Sequence, residues 1–336
     1  MNILITGGCG FLGARLARTL LKQGALSLAG EPSRRIERMT LADRAPPPAD
    51  LAGNPRVGFV QGDLLELARS RALPAAGTEL VFHLAAAVSG ECEADFDLGM
   101  HSNFQATHAL LEAARALGSR PTFVFASSLG VFGNLPGREL PELIQDETLP
   151  TPQSSYGIQK FIGEQLVADY ARKGFLRGRS VRLMTVSVRP GKPNGAASGF
   201  LSGMIREPLA GVRGACPVPR ETAVALASPS STVAGIIRAA EVTDHEWGPL
   251  TAINLPAIRT SVGEMADALG RIGGQAATAL LDWTPDLAIQ KLVKSWPGNV
   301  ASSRAKALGL EPDKDFESVV REYIRENPGA VKLPVR

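Results

Sequence analysis

The sequence predicts an α/β fold in which a doubly wound parallel sheet is joined to a smaller mixed C-terminal domain. Two observations predict the sheet. Apolar runs of strand length alternate with amphipathic runs of helix length, and the chain opens on a strand, a glycine-rich turn and a helix. We assign residues 1–191 to the larger domain, with a return strand near 250–254, and most of residues 192–336 to the smaller one.

The opening segment has the order of a nucleotide-binding unit. Residues 3–5 form an apolar run that predicts a buried strand, and a helical pattern starts at Phe11. Gly7, Gly10 and Gly13 surround this junction, where they allow a tight turn and let a pyrophosphate approach the helix N-terminus. Glycine triplets are common in α/β loops, but this context favours a dinucleotide-binding (Rossmann) site with contacts from these three glycines.

The remaining elements continue the alternation. Predicted strands cover residues 39–42, 57–60, 80–84, 123–126 and 181–188, and predicted helices cover residues 103–117 and 156–172. Three consecutive prolines at 46–48 and the Pro- and Glu-rich residues 135–152 predict loops. Strands separated by helices are typical of a parallel sheet with helices on its faces.

Composition excludes several classes of protein. The formal net charge of +3 comes with no basic block, so neither nucleic acid nor an anionic membrane is expected as a partner. Three cysteines and four histidines show no disulfide or metal-ligand spacing, so no metal is expected and the histidines are interpreted as surface or packing residues. The first strand leaves no room for a signal peptide, and no apolar run spans a membrane. We therefore expect a cytoplasmic protein.

Two aspartates follow predicted strands at the edge where a doubly wound sheet binds its ligand. Asp43 can accept hydrogen bonds from both hydroxyls of an adenosine ribose and would repel a 2′-phosphate, which favours NAD over NADP. Arg44 is able to tolerate a 2′-phosphate and makes this preference less strict. Asp63 is a candidate acceptor for the adenine amino group, although an aspartate after a glycine is also common in turns.

Ser128, Tyr156 and Lys160 are the candidate catalytic residues. Tyr156 and Lys160 lie four residues apart in a helical segment, so their side chains share one face of the helix. A phenol has a pKa of ~10, and a neighbouring ammonium group favours the phenolate that a general base requires. Ser128 can donate to the same substrate oxygen. Each residue alone has an ordinary structural explanation, but together with the nucleotide motif they predict proton transfer at an alcohol or a carbonyl.

With these motifs, the chain resembles the extended type of the short-chain dehydrogenase/reductase superfamily, which includes nucleotide-sugar epimerases. The matching segments are Thr6-Gly7-Gly8-Cys9-Gly10-Phe11-Leu12-Gly13, Asp63-Leu64, His83-Leu84-Ala85-Ala86, Phe125-Ala126-Ser127-Ser128, Val131-Phe132-Gly133, Tyr156-Gly157-Ile158-Gln159-Lys160, Arg189-Pro190-Gly191 and Ser303-Arg304-Ala305-Lys306-Ala307-Leu308-Gly309-Leu310. These segments cover nearly the whole chain. They are specific for the superfamily but not for a substrate.

The resemblance implies the cofactor and the roles of the site residues. It implies that Ser128 polarises the substrate oxygen, that Tyr156 is the acid/base, and that Lys160 holds the ribose and tunes Tyr156. Asn103 would support a water relay to Lys160, and a four-helix contact of residues 103–117 and 156–172 would form a homodimer. NAD is the implied cofactor, and its further contacts are Phe11, Leu12, Leu64, Ala85, Ala86 and Pro190.

Departures from the superfamily patterns narrow the expected reaction. Sugar-nucleotide 4,6-dehydratases carry Asp-Glu after the catalytic hydroxyl, whereas Leu129 and Gly130 follow it here. Residues 189–200, 206–209 and 227–229 resemble members that oxidise a four-carbon sugar acid at its 2-hydroxyl, although Ser230 stands where those members carry Arg. The expected function is therefore hydride transfer from a short sugar acid to NAD.

Substrate contacts and alternative functions stay open at the level of sequence. Ser89 and Asn194 are candidate substrate donors, and Lys192 and Ser198 are weaker candidates. A nucleotide-sugar epimerase would use the same three catalytic residues, but it would return the hydride to the other face of the sugar. A redox-sensing regulator would bind the dinucleotide without turnover, and such proteins often lack the tyrosine or the lysine, both of which are present here.

Overall fold

The computed structural model describes residues 1–191 and 197–336. Its strands are β1 Asn2–Thr6, β2 Ala25–Leu26, β3 Arg34–Arg35, β4 Arg38–Asp43, β5 Val57–Gln61, β6 Leu80–His83, β7 Thr122–Ser128, β8 Arg177–Leu183, β9 Thr185–Val186, β10 Gly214–Ala215, β11 Ala223–Ala227, β12 Ile253–Asn254, β13 Ile258–Ser261 and β14 Leu281–Asp282.

The helices complete the order of elements. They are α1 Phe11–Gln23, α2 Ala49–Ala52, α3 Leu64–Arg69, α4 Ser89–Ala94, α5 Phe96–Gly99, α6 Ala106–Ala116, α7 Ser155–Arg172, α8 Phe200–Leu209, α9 Pro229–Glu241, α10 Asp244–Trp247, α11 Val262–Thr278, α12 Leu287–Lys294, α13 Ser303–Ala307 and α14 Phe316–Glu326. A π-helical turn, Met100–Gln105, leads into α6, and 3₁₀ turns lie at Leu129–Val131, Ala197–Gly199 and Pro328–Ala330.

The main sheet has seven strands in the order β12-β8-β7-β6-β1-β4-β5. The strand order runs outward from β1 in both directions, and β1 pairs in parallel with β4 on one side and β6 on the other. The point between β1 and β6 is therefore the topological switch point, where the carboxyl ends of the strands open a crevice for a ligand. The predicted doubly wound α/β class is confirmed.

Buried apolar strands explain why this sheet forms. β6 is buried at every position, and β7 is buried at every position except its last residue, as expected for strands covered on both faces. One apolar cluster joins the strands to the helices around them; its members include Val81, Leu111, Phe123, Phe125 and Val167. β7 and α7 approach closely, since a methyl group added at Gly163 would lie 2.5 Å from the ring of Phe125.

The predicted strand at 181–188 is wrong in its extent. β8 begins four residues earlier, at Arg177, and ends at Leu183 in the main sheet. Residues 185–186 form a separate strand, β9, which pairs in parallel with β11 in a three-stranded sheet. One stretch of β-forming residues therefore serves two sheets.

Contacts divide the chain into two compact units that are interleaved in sequence. The first consists of residues 1–128, 154–182 and 233–253, and the second of residues 129–153, 183–232 and 254–336. The second unit contains the sheet β13-β11-β9 and a core of apolar side chains from α8, α11 and α14. The sequence-based boundary at residue 191 separates a predicted NAD-binding part from a predicted substrate-binding part. This functional division stays a prediction.

No helix in the described part of the chain is both long enough and apolar enough to cross a membrane.

Candidate active site

The glycine turn between β1 and α1 cannot accept larger residues. Gly7 has a φ of +67°, and a methyl group placed on it would lie 2.8 Å from the backbone nitrogen of Ala85. A methyl group on Gly13 would lie 2.1 Å from the carbonyl oxygen of Gly7. Gly10 is the N-cap of α1, and no side chain from the described residues caps this helix. The first turn of α1 can therefore direct its backbone N–H groups at a pyrophosphate, as a dinucleotide requires.

Asp43 lies beside this turn at the end of β4. Its Oδ2 accepts the backbone N–H of Cys9 at 3.0 Å, and its Oδ1 accepts that of Ala45 at 3.1 Å. Each carboxylate oxygen can accept a second hydrogen bond, so the group retains acceptors for the two hydroxyls of a ribose. The donors and acceptors at this end of the sheet fit the adenosine half of NAD.

Asp63 is the N-cap of α3, the helix that begins with Leu64. Its Oδ1 accepts the N–H of Leu65 at 3.0 Å, His101 Nε2 lies 3.0 Å from both carboxylate oxygens, and the Arg44 guanidinium donates to Oδ2. Burial acts to raise the pKa of this carboxyl, but the hydrogen bonds from Arg44 and His101 outweigh it and lower the pKa to about 2. The predicted contact of Asp63 with adenine stays a prediction.

His83 holds the glycine turn to the neighbouring strand and helix. Its Nδ1 lies 2.7 Å from Thr6 Oγ1, and its Nε2 lies 2.8 Å from Thr107 Oγ1. Because the Thr107 hydroxyl donates to the carbonyl oxygen of Asn103 at 2.6 Å, it must accept from His83, so Nε2 carries the proton and Nδ1 accepts from Thr6. Burial, and then the nearby Lys160, lower the pKa of His83 to about 3 and keep the ring neutral.

Asn103 lies in the π-helical turn, and its side chain is fully engaged. Its Oδ1 accepts the N–H of Ala87 at 2.8 Å, and its Nδ2 donates to the carbonyl oxygen of Ala87 at 3.1 Å and to Gln159 Oε1 at 2.9 Å. These contacts fix the segment that follows Ala85 and Ala86 and connect it to α7. The implied water relay through Asn103 stays a prediction.

Tyr156 and Lys160 project from the first turns of α7. Ser154 caps this helix by accepting the N–H of Gly157 at 3.1 Å, which sets where the helix begins. Lys160 is buried, donates from Nζ to the carbonyl oxygen of Ala126 at 2.9 Å, and lies 5.8 Å from the centre of the Tyr156 ring. Burial lowers the pKa of Lys160 to about 8, so this ammonium is still largely charged at neutral pH.

Ser128 ends β7, directly after the buried Ser127. The Ser127 hydroxyl donates to Glu164, which lies one helical turn beyond Lys160 on α7. Arg182 of β8 also binds Glu164, through Nε at 2.9 Å and Nη2 at 2.8 Å, and both side chains of this ion pair are buried. The strand end that carries Ser128 and the helix that carries Tyr156 are therefore joined by one buried polar cluster.

The other predicted site residues are placed as follows. Ser89 begins α4, and Pro190 is half-buried and follows Arg189. Ser198 is buried and accepts a hydrogen bond from Arg189 Nη2 at 2.8 Å, while Lys192 and Asn194 lie outside the described residues. Within residues 1–191 and 197–336, no group of three His, Cys, Asp or Glu side chains could hold a metal ion.

Three buried polar residues of this region, Gln159, Glu164 and Arg182, are not predicted from the sequence. Gln159 and Glu164 share a face of α7 with the predicted pair, because they lie three and eight residues after Tyr156. Polar residues at these spacings, in a helix predicted to pack on the sheet, are the sequence signal that indicates Gln159 and Glu164.

Comparison with known proteins identifies the family. Residues 3–221 match the NAD dependent epimerase/dehydratase family. The chain belongs to this family. It is 46% identical over 332 residues to the D-erythronate dehydrogenase of Cupriavidus necator, covering 99% of this chain and 100% of that protein. It is 40% identical over 324 residues to the D-erythronate dehydrogenase of Haemophilus influenzae, covering 96% and 99%.

A solved structure is similar over nearly the same length. The crystal structure of the nucleoside-diphosphate-sugar epimerase from Agrobacterium tumefaciens is 38% identical, with a TM-score of 0.89, and covers 98% of this chain and 95% of that one. The resemblance to the extended short-chain dehydrogenase/reductase superfamily is confirmed, and so is the prediction of an NAD-dependent oxidoreductase. NAD is the cofactor that the glycine turn and Asp43 fit.

The buried His83 predicts how stability depends on pH. Its pKa falls from 6.5 to about 3 on folding, so between these values the unfolded chain binds one more proton than the folded chain. Stability therefore decreases as pH falls through this window, by about 1.4 kcal/mol per pH unit from this group. Denaturant unfolding of His83→Gln between pH ~6.5 and ~4.5, above the range of most carboxylates, should show a smaller slope than the wild type.

The exposed His245 offers a matched control for this measurement. His245→Gln should keep the wild-type slope. Equal slopes for His83→Gln and the wild type would show that His83 is not held neutral by the fold.

Proposed function

We propose that this protein oxidises the 2-hydroxyl of a short sugar acid such as D-erythronate to the 2-oxo acid. Two relatives named D-erythronate dehydrogenase align with the chain over nearly its full length and support the substrate class. The observation that carries the reaction is the placement of the buried Lys160 ammonium 5.8 Å from the centre of the Tyr156 ring, on a helix tied to the strand that ends at Ser128.

The proposed steps use three side chains. Ser128 donates a hydrogen bond to the substrate oxygen and orients the 2-hydroxyl toward Tyr156. The Tyr156 phenolate accepts the hydroxyl proton, and the nearby Lys160 charge stabilises that phenolate. NAD, when bound, supplies the acceptor for the hydride that leaves carbon 2. The substrate thus loses one hydride and one proton as its alcohol becomes a ketone.

The cofactor contacts form a second part of the proposal. The glycine turn with Phe11 and Leu12 would hold the pyrophosphate, and Asp43 would hold the adenosine ribose. Asp63 and Leu64 would lie at the adenine, and Ala85, Ala86 and Pro190 would lie along the rest of NAD. Asn103 would support Lys160, and Ser89 and Asn194 would contact the sugar acid.

Nucleotide-sugar epimerisation is the second candidate. The similar crystal structure from Agrobacterium tumefaciens belongs to a protein named as a nucleoside-diphosphate-sugar epimerase, which favours this alternative. Against it, residues 192–211 contain one aromatic side chain, Phe200, whereas a nucleobase and diphosphate need aromatic and basic anchors. The small residues at 195–199 suit a compact ligand.

We also propose that the protein is a cytoplasmic homodimer that pairs through residues 103–117 and 156–172. The exposed Ile158 on α7 supports this surface, since a large apolar side chain there would be covered in a dimer. Light scattering measures the molar mass in solution. A molar mass equal to that of the monomer throughout the micromolar range would contradict the dimer.

The role of Tyr156 is tested by removing one oxygen atom. Tyr156→Phe should lower kcat by about 10²–10⁴, the usual loss for a general base, with NADH affinity nearly unchanged. Lys160→Ala should impair both turnover and NADH binding, because the proposed role of Lys160 includes the ribose. Tyr170 lies on the same helix and bonds to Glu112, so Tyr170→Phe is a matched control that should keep kcat within about twofold of the wild type.

A Tyr156→Phe protein with wild-type kcat would exclude this mechanism. Steady-state kinetics of NADH formation, with fluorescence titration of NADH, provides both readouts.

The substrate is tested by assaying the protein for both candidate activities. D-erythronate and related four-carbon 2,3,4-trihydroxy acids should generate NADH, and UDP-glucose and UDP-galactose should not interconvert. Absorbance at the NADH band and chromatography of the sugar nucleotides measure the two outcomes. If an epimer forms while every sugar acid is inert, the epimerase assignment replaces the dehydrogenase.

A further inference from the structure

Arg44 is positioned to influence which dinucleotide is bound. It follows Asp43 directly at the end of β4, and its carbonyl oxygen accepts a hydrogen bond from Gln61 Nε2 at 3.0 Å. Its side chain is 59% exposed and ion-paired with the carboxylate of Asp63. The guanidinium next to the expected ribose site is therefore already engaged by an acidic partner.

Asp63 is built to hold this pair. Its backbone position is fixed because it caps α3, with Oδ1 accepting the N–H groups of Leu65 at 3.0 Å and Glu66 at 3.4 Å. His101 Nε2 lies 3.0 Å from both carboxylate oxygens, and the Asp63 side chain is only 25% exposed. The carboxylate therefore retains its negative charge throughout the pH range of ordinary assays.

We propose that Asp63 determines the selectivity for NAD over NADP by holding Arg44 away from the 2′-position of the adenosine ribose. A free guanidinium beside the ribose would bind a 2′-phosphate well, because arginine pairs with phosphate through two parallel hydrogen bonds. Asp43, fixed by Cys9 and Ala45, repels that phosphate. The selectivity thus has two parts, the charge on Asp43 and the capture of Arg44 by Asp63. This inference rests on NAD as the cofactor and is independent of the sugar-acid substrate.

A double-mutant cycle on binding tests the proposal. The proteins are the wild type, Asp63→Asn, Arg44→Ala and the double variant, and the readout is the ratio of the dissociation constants for NADPH and NADH by fluorescence titration. The ratio cancels any contact of Asp63 with adenine, because both nucleotides carry the same base. Asparagine is as good an N-cap as aspartate, so α3 should persist.

Asp63→Asn should lower the ratio of the NADPH and NADH dissociation constants about three- to tenfold. This size is expected when one partly exposed ion pair is lost and the released Arg44 guanidinium pairs with the 2′-phosphate instead. Arg44→Ala alone should change the ratio by less than about twofold, because Arg44 is already engaged. The double variant should return to the ratio of Arg44→Ala, because the gain requires a free guanidinium.

Two results would overturn the proposal. If Asp63→Asn weakens both nucleotides equally, Asp63 acts through the base that they share. If the double variant keeps the gain, the lost negative charge is responsible and not the released Arg44. Asp63→Ser, which also keeps an N-cap, is a second variant that should reproduce Asp63→Asn.

Asp169→Asn is the matched charge control. It breaks the exposed pair of Asp169 with Arg172 in the last turn of α7. Like Asp63→Asn, it removes one negative charge from the first compact unit of the chain. It should leave the ratio of the NADPH and NADH dissociation constants unchanged. Because the readout is nucleotide binding, failure of this inference is distinguishable from failure of the proposed reaction.

Discussion

The buried ion pair between Glu164 and Arg182 is the interaction on which the rest of the candidate active site depends. Both side chains lie out of water, where an unpaired charge costs several kcal/mol, so each is acceptable only while the other is present. Glu164 belongs to α7, Arg182 to β8, and the hydrogen bond from Ser127 adds β7. The pair and this hydrogen bond therefore join three elements, α7, β8 and β7. Ser128 follows Ser127, and Lys160 precedes Glu164 by one turn of α7.

Two further polar contacts fix α7 along its length. Lys160 donates to the carbonyl oxygen of Ala126, and Gln159 binds Asn103 of the π-helical turn. Burial weakens the preference of Lys160 for its charged form, while the nearby Cys92 and Glu164 oppose that effect. The same carboxylate that anchors the helix thus also helps to keep the ammonium charged beside Tyr156.

A second network of hydrogen bonds starts at the glycine turn. Thr6, His83, Thr107 and Asn103 form a continuous chain from the glycine turn to the helix beside α7. Each donor in this chain has one acceptor, which fixes the tautomer of His83 and removes the freedom to rearrange. Through Asn103, which donates to Gln159, the network connects the glycine turn to α7.

Local sequence was sufficient for some features and insufficient for others, for physical reasons. The glycine turn and the main-sheet strands β1, β4, β5, β6 and β7 follow from short-range patterns: glycines at a junction and runs of apolar side chains. The start of β8 does not, because Arg177 and Arg179, in the part of the strand that was not predicted, look unsuitable for an interior strand. Arg179 is buried, donates from Nη2 to Asp244 Oδ1 at 2.5 Å, and lies over the ring of Trp247. Arg182 is buried in its ion pair with Glu164. Their partners are distant in sequence, so no local pattern reveals them.

The buried pair holds α7, which carries Tyr156 and Lys160, on the sheet, and the free energy of unfolding of Glu164→Gln tests this role most directly. Glutamine keeps the shape of the side chain but leaves the Arg182 charge unpaired, so we predict a loss of about 3–5 kcal/mol. Asp169→Asn, which breaks the exposed pair on the same helix, should lose no more than about 1 kcal/mol. Equal and small losses for the two variants would contradict the account.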